Sequence, residues 1–215
     1  MRESPQDHGL IMERVALQRD LSTQPFWVFG YGSIVWKVGF EYEEARVCYA
    51  KDWRRRFFQG STDHRGTVEC PGRTVTLEHA PGEKVWGVAY RVHARHEASV
   101  LELLEVREKQ YNLRIELDLF DDSTDGDSGQ CPIIRNALTY IATECATNRN
   151  WLGPADAQEI AERIAIAHGP SGPNFEYLFQ LVQAMRSYNI HDAYLEDLEA
   201  RVKKLLLVES QQPQV

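Results

Sequence analysis

The chain has 215 residues, 43% of them hydrophobic and 26% charged, with a formal net charge of −8. That length suits one good-sized core, and the acidic balance argues against a nucleic-acid partner, because phosphate binding needs a basic stripe that releases counterions. No stretch approaches the roughly 18 apolar residues of a membrane span, and the four cysteines lack the CxxC or Cys-His spacing of a zinc site or redox pair.

Residues 1–24 are polar, with a short helix expected at 11–17 and no apolar signal region. They are read as a mobile extension on a cytoplasmic protein, and 25–210 as a single domain. Phe26-Trp27-Val28-Phe29 is strand-like and breaks on Gly30-Tyr31-Gly32-Ser33 before turning apolar again at Ile34, Val35 and Trp36. The two glycines admit positive φ and remove Cβ bulk, which lets the N–H groups of Tyr31, Gly32 and Ser33 turn toward a small anion such as a carboxylate. A plain glycine turn between buried strands fits the segment equally well. Further strand texture is expected at 46–50, 54–58, 74–77, 85–92, 113–120 and 138–141. Arg54, Arg55 and Arg56 alternate with aromatics and read as one solvated or salt-bridged strand face.

A helix is expected from 94 to 108. At roughly 100° per residue, Val100, Leu101, Leu103 and Leu104 form an apolar stripe, and Glu108 lands on its edge, facing inward. The alternative is an ordinary helix-end glutamate paired with Arg107 or Lys109. The run 121–130 is rich in Asp, Ser, Thr and Gly and reads as an exposed acidic loop without the ligand order of a calcium site. The last third is helical, with Pro154 at a helix start, Gly169-Pro170 at its end, and apolar stripes at 178–185 and 195–205. Strands first and helices later predict an α+β fold, a bent mixed sheet or small barrel with helices around it.

Several blocks occur in one order: Tyr31-Gly32-Ser33, His64-Arg65-Gly66, Pro71-Gly72-Arg73, Trp86-Gly87-Val88-Ala89-Tyr90, Arg107-Glu108, Leu152-Gly153-Pro154-Ala155 and Gly169-Pro170-Ser171-Gly172. Together they resemble the ChaC family of glutathione-specific γ-glutamylcyclotransferases over about 26–205. The resemblance implies a γ-glutamylcyclotransferase-like fold and a lyase that converts glutathione to 5-oxoproline and cysteinylglycine without metal or organic cofactor. It also implies that Glu108 is the catalytic glutamate and that Val28, Phe29, Gly30, Tyr31, Gly32 and Ser33 form the substrate loop. Arg65 would pair with a substrate carboxylate, its alternative being a salt bridge to Asp63 or a helix carboxylate. Tyr140 would offer its hydroxyl, its alternative being an ordinary core tyrosine.

One carboxylate suffices for such chemistry. The α-amine of a γ-glutamyl compound can attack its own γ-carbonyl, so the nucleophile belongs to the substrate. The enzyme must hold the chain curled, take the ammonium proton, stabilise the oxyanion and protonate the leaving nitrogen. His64 is read as structural, and Cys70 lacks a third group to orient a Cys-His pair. Gln110-Tyr111-Asn112 departs from the family's usual Gly-Gly-Tyr, which predicts a stiffer or redirected loop after Glu108. Rival readings are the same cyclisation on other γ-glutamyl amines or dipeptides, and a non-enzymatic binding or transport-regulator module. Oligomeric state is not legible.

Overall fold

The computed structural model describes residues 26–122 and 131–211. The extension at 1–24, with its expected helix, and most of the acidic loop lie outside these residues. Five strands close a barrel: β1 (Phe26–Gly30), β2 (Glu44–Ser61), β3 (Gly72–Val92), β4 (Leu113–Phe120) and β5 (Ile134–Ile141), in the order β1-β3-β2-β4-β5. β1 runs antiparallel to β3, from Phe26 opposite Val92 to Gly30 opposite Val88. It meets β5 in parallel, Val28 opposite Leu138, and this pairing closes the barrel. All five β1 residues are buried, as an unbroken apolar run flanked on both edges requires.

Expected strands 46–50 and 54–58 are one strand, β2, and 74–77 and 85–92 are one strand, β3. The separators are a bulge. Lys51 faces Lys84 and Trp53 faces His79, with Asp52 at φ 64° and Gly82 at φ 84°. The Gly82 N–H donates to Asp52 Oδ1 at 2.7 Å. Turn-forming residues thus kink a continuous ladder without ending it.

The arginine run also resolves differently from one solvated face. Arg54 pairs with Glu78 at 2.7 Å and Arg56 lies 3.8 Å from the same carboxylate, whereas Arg55 points inward and is 2% exposed. Its Nε donates to the Tyr31 carbonyl at 2.8 Å, Nη2 donates to the Trp86 carbonyl, and Nη1 pairs with Asp192. Pleat alternation separates neighbours to opposite faces, and a buried cation is tolerable only with every donor engaged.

After a 3-10 turn at Ala94–His96, α1 (Glu97–Arg107) anchors on the barrel through buried Val100 and Leu104. Leu103, expected in the stripe, is exposed, while Leu101 is partly buried and packs against the core beside Val100 and Leu104. The helix α2 (Ala157–Ile166) starts later than Pro154, at an Asp156 cap whose side chain accepts from the Glu159 N–H at 2.8 Å. A two-residue pair, β6 (His168–Gly169) and β7 (Gly172–Pro173), leads to α3 (Asn174–Ser187) and α4 (Ala193–Gln211). Leu178, Leu181, Val182 and Met185 of α3 and Leu195, Leu198 and Val202 of α4 are buried, as their helical spacing predicts. Among the described residues no helix is long and apolar enough to cross a membrane.

Leu104 is fully buried one turn before Glu108, so Leu104→Ala is expected to cost about 2–5 kcal/mol. Equilibrium denaturation checks this; a loss below about 1 kcal/mol would mean that α1 is not held by its apolar anchor.

Candidate active site

At Gly30 the β1 strand ends and the chain enters a 3-10 turn, Ser33–Val35. The turn is closed by Val35 N–H donating to the Gly32 carbonyl at 3.0 Å and Lys37 N–H donating to the Ser33 carbonyl at 2.9 Å. Residues 29–34 form one wall of a narrow cavity, and Glu108, Tyr111 and Tyr140 form the other. Glu108 is the residue that ends α1, with its N–H still donating to the Leu104 carbonyl at 2.8 Å. Its side chain is 11% exposed and lies 3.1 Å from Arg107 Nε. The Glu108–Arg107 pairing left open by the sequence is therefore present, and the carboxylate also faces the cavity. Burial raises the Glu108 pKa above the usual carboxylate range, while the Arg107 charge pulls it back.

Tyrosines surround this carboxylate. Tyr31 donates its hydroxyl to the Tyr140 carbonyl at 2.7 Å, and Tyr111 donates to the Val75 carbonyl at 2.7 Å. Burial holds Tyr31, Tyr111 and Tyr177 above the normal phenol range, so all three stay neutral while a carboxyl titrates. Beyond Glu108 the chain is pinned. Lys109 Nζ lies 2.8 Å from Asp63, and the buried Gln59 donates to the Gln110 carbonyl at 2.9 Å. Asn112 Nδ2 donates to Thr143 Oγ1 at 2.8 Å and its Oδ1 accepts from the Thr143 N–H at 2.8 Å. The stretch that departs from the family's glycines is thus tied down by side chains.

The loop glycines do not serve the φ that the sequence suggested. Gly32 sits at φ −123°, and neither it nor Gly30 has positive φ. Space is the constraint. A Cβ on Gly32 would stand 2.9 Å from Val75 Cγ2 and 3.0 Å from the Tyr177 hydroxyl, and one on Gly30 would stand 2.8 Å from Ile34 Cγ2.

Of the expected site residues, Phe29, Gly30, Tyr31, Gly32, Ser33, Glu108 and Tyr140 converge on the cavity. Three of the expected residues are placed differently from the rest. Val28 is fully buried between its partners Tyr90 and Leu138 and is not among the cavity-lining residues. Arg65 is also outside that lining; its Nη1 donates to Glu176 Oε2 and to the Pro173 carbonyl, both at 3.0 Å, which is the helix-carboxylate alternative. Tyr140 lines the cavity, yet its hydroxyl donates to Glu105 at 2.8 Å. His64 is exposed, 3.4 Å from Ser171 Oγ, and the Cys70 thiol accepts from Arg163 at 3.4 Å, so neither forms a Cys-His pair. All four cysteines are free thiols. Among the described residues, no three His, Cys, Asp or Glu side chains are grouped to hold a metal ion.

The sequence reading did not single out Ile34, Tyr111, Tyr177 or Arg55 for the site. Arg55 was the readable one, since the pleat sets the middle of three consecutive arginines against its neighbours. Tyr177 comes from a helix more than a hundred residues away from the loop, and no local pattern points to it.

A barrel with a buried carboxylate facing a glycine loop at the end of its first strand is a γ-glutamylcyclotransferase fold. The chain belongs to the ChaC-like protein family, whose model matches residues 26–205. It is 46% identical over 182 residues to γ-glutamylcyclotransferase 2-3 of Arabidopsis thaliana, covering 84% of this chain and 89% of that protein. It is 42% identical to glutathione-specific γ-glutamylcyclotransferase 1 of Danio rerio, covering 81% and 87% respectively. A crystal structure of a γ-glutamyl cyclotransferase specific to glutathione from yeast superposes with a TM-score of 0.72 at 30% identity, covering 85% of this chain and 99% of that one.

Since the added carbon atoms would meet Val75 and Tyr177, Gly32→Val is expected to destabilise the fold by about 1–3 kcal/mol and to deform the cavity wall. An unchanged denaturation midpoint would show that both neighbours yield freely.

Proposed function

We infer that this protein is a γ-glutamylcyclotransferase that cleaves glutathione to 5-oxoproline and cysteinylglycine. The observation that carries the reading is the buried Glu108 carboxylate facing the 29–34 loop across one narrow cavity, in a chain whose relatives bear names of that activity. Glutathione enters with its γ-glutamyl end against the loop. The first N–H groups of the 3-10 turn have no partner within the turn, which makes them donors for the substrate carboxylate and for the oxyanion that develops on the γ-carbonyl. Burial has raised the proton affinity of Glu108, so it takes a proton from the α-ammonium at a lower free-energy cost than an exposed carboxylate would.

The freed amine attacks the γ-carbonyl carbon and closes the five-membered lactam. As the tetrahedral intermediate collapses, the bond to the cysteine nitrogen breaks, Glu108 returns the first proton to that nitrogen, and the second proton of the attacking nitrogen passes to the released amine, so the lactam keeps one N–H and cysteinylglycine leaves as an ammonium. Proton and electron pair balance within the substrate and one side chain, with no enzyme nucleophile. The tyrosine ring of the cavity excludes water, which suppresses hydrolysis. A cytoplasmic location and the absence of a cofactor, nucleic-acid or membrane partner belong to the same reading. Arg65, engaged with Glu176, is assigned to holding the 61–66 turn against α3.

Purified protein incubated with glutathione is expected to release equal amounts of 5-oxoproline and cysteinylglycine, with a rate unchanged by a strong chelator. Free glutamate as the product would mean attack by water and a hydrolase instead. Glu108→Gln keeps size and removes the basic oxygen, so kcat is expected to fall on the order of 10²- to 10⁴-fold with folding retained. Wild-type turnover in a folded Glu108→Gln protein would remove Glu108 as the base.

A further inference from the structure

We propose that Arg107 is a positioning residue, whose guanidinium sets the distance between Glu108 and the 30–33 loop and keeps that carboxylate ionised for its turn as base. The inference rests on the reading of Glu108 as the base. Each nitrogen of the Arg107 fork has a different partner. Nη2 donates to Ser33 Oγ at 2.9 Å, Nη1 donates to the Val38 carbonyl at 2.6 Å, and Nε lies 3.1 Å from Glu108 Oε1. One rigid plane therefore touches the substrate loop, the segment that follows it and the carboxylate.

The fold makes room for this fork. Gly39, next to the Val38 carbonyl, sits at φ +79°, where a Cβ would come within 3.2 Å of Arg107 Nη1. A side chain at that position would be strained and would also crowd the guanidinium. Ser33 is likewise placed by the 3-10 turn, its hydroxyl facing Arg107 while its carbonyl accepts from Lys37.

The charges around Glu108 leave this role to Arg107. Tyr31 from the end of β1, Tyr111 from the loop after α1 and Tyr177 from α3 act on the carboxylate electrostatically. All three are neutral across carboxyl titration. Arg55 lies behind Tyr31 and is engaged by Asp192 and two carbonyls. Arg107 is the cation in contact with Glu108 among the described residues.

Arg107→Gln removes the charge, and Arg107→Lys keeps it but cannot make three directed contacts from one plane. Two measurements separate their effects: the pH profile of kcat/KM for glutathione, whose acid limb reports the base of the free enzyme, and a carbon-13 titration of the Glu108 carboxyl, assigned with Glu108→Gln. In Arg107→Gln the acid limb and the Glu108 titration are expected to move together to higher pH, with kcat down on the order of 10²-fold from misplacement. In Arg107→Lys both are expected to stay near the wild-type position while kcat still falls more than KM changes. A folded Arg107→Gln with both titrations at wild-type pH would overturn the proposal, as would a uniform rate loss without movement of the limb. If Arg107→Gln fails to fold, wild-type kcat in Arg107→Lys overturns it on its own. The carboxyl titration needs no turnover, so it decides the Arg107–Glu108 coupling even if wild-type protein releases no 5-oxoproline, an outcome that would sink the functional reading separately.

Discussion

The barrel closes where β1 lies parallel to β5, and that closure fixes the point at which the glycine loop leaves the sheet. A strand with neighbours on both edges cannot slide, because slipping by one residue would exchange its two faces. Gly30 is thereby held opposite Val88, and Gly87 beside it has no room for a side chain: a Cβ there would stand 2.3 Å from the Gly30 carbonyl. The loop that follows inherits this rigidity. Its Tyr31 carbonyl is gripped by the buried Arg55, and the Tyr90 hydroxyl donates to the carbonyls of Ile34 and Val35 at 3.2 Å each. The cavity is built on rigid elements, which is what positioning a reactive conformer demands.

Against this wall stands a carboxylate whose ionisation is contested by burial and assisted by one guanidinium. The sign matters for stability. A carboxyl whose folded pKa is raised binds more protons in the native state than in the unfolded chain, so the native state loses stability as pH rises from the unfolded pKa through the folded one. Its placement thus costs stability. The rest of the structure offsets this through apolar packing of α3 and α4 and through hydrogen bonds made by buried polar groups. Asn174 is an example: wholly buried, it accepts from the Arg73 N–H at 2.6 Å and donates to the Arg73 carbonyl at 2.9 Å. This bond ties the start of α3 to the start of β3, and α3 brings Tyr177 to the loop.

Much of the architecture was legible because it follows from periodicity. The apolar run of β1, the stripes of α3 and α4 and the inward placement of Glu108 are properties of a short window, and local geometry determines which face each side chain takes. Where local rules failed, neighbours outvoted propensity. Asp52 and Gly82 have turn chemistry, yet the sheet absorbed them as a bulge because ladder bonds on either side outweigh one kink. Pro154 begins no helix, since Gly153 is engaged with the Phe58 carbonyl and with Arg73. Leu103 is exposed although Leu101 and Leu104 of the same helix pack against the core.

For the site, the residue types and the order of the blocks sufficed to identify the family, and the family names a chemistry in which the substrate carries its own nucleophile. The sequence by itself also determined which carboxylate stands on an apolar edge, because helical spacing is a one-dimensional property. Tertiary structure alone decided that the glycines serve close packing instead of positive φ, that Arg65 is spent on Glu176, and that Arg55 and Tyr177 stand behind the loop. These are distances between segments far apart in the chain. No window of sequence contains both partners, so their contacts exist only once the barrel has closed.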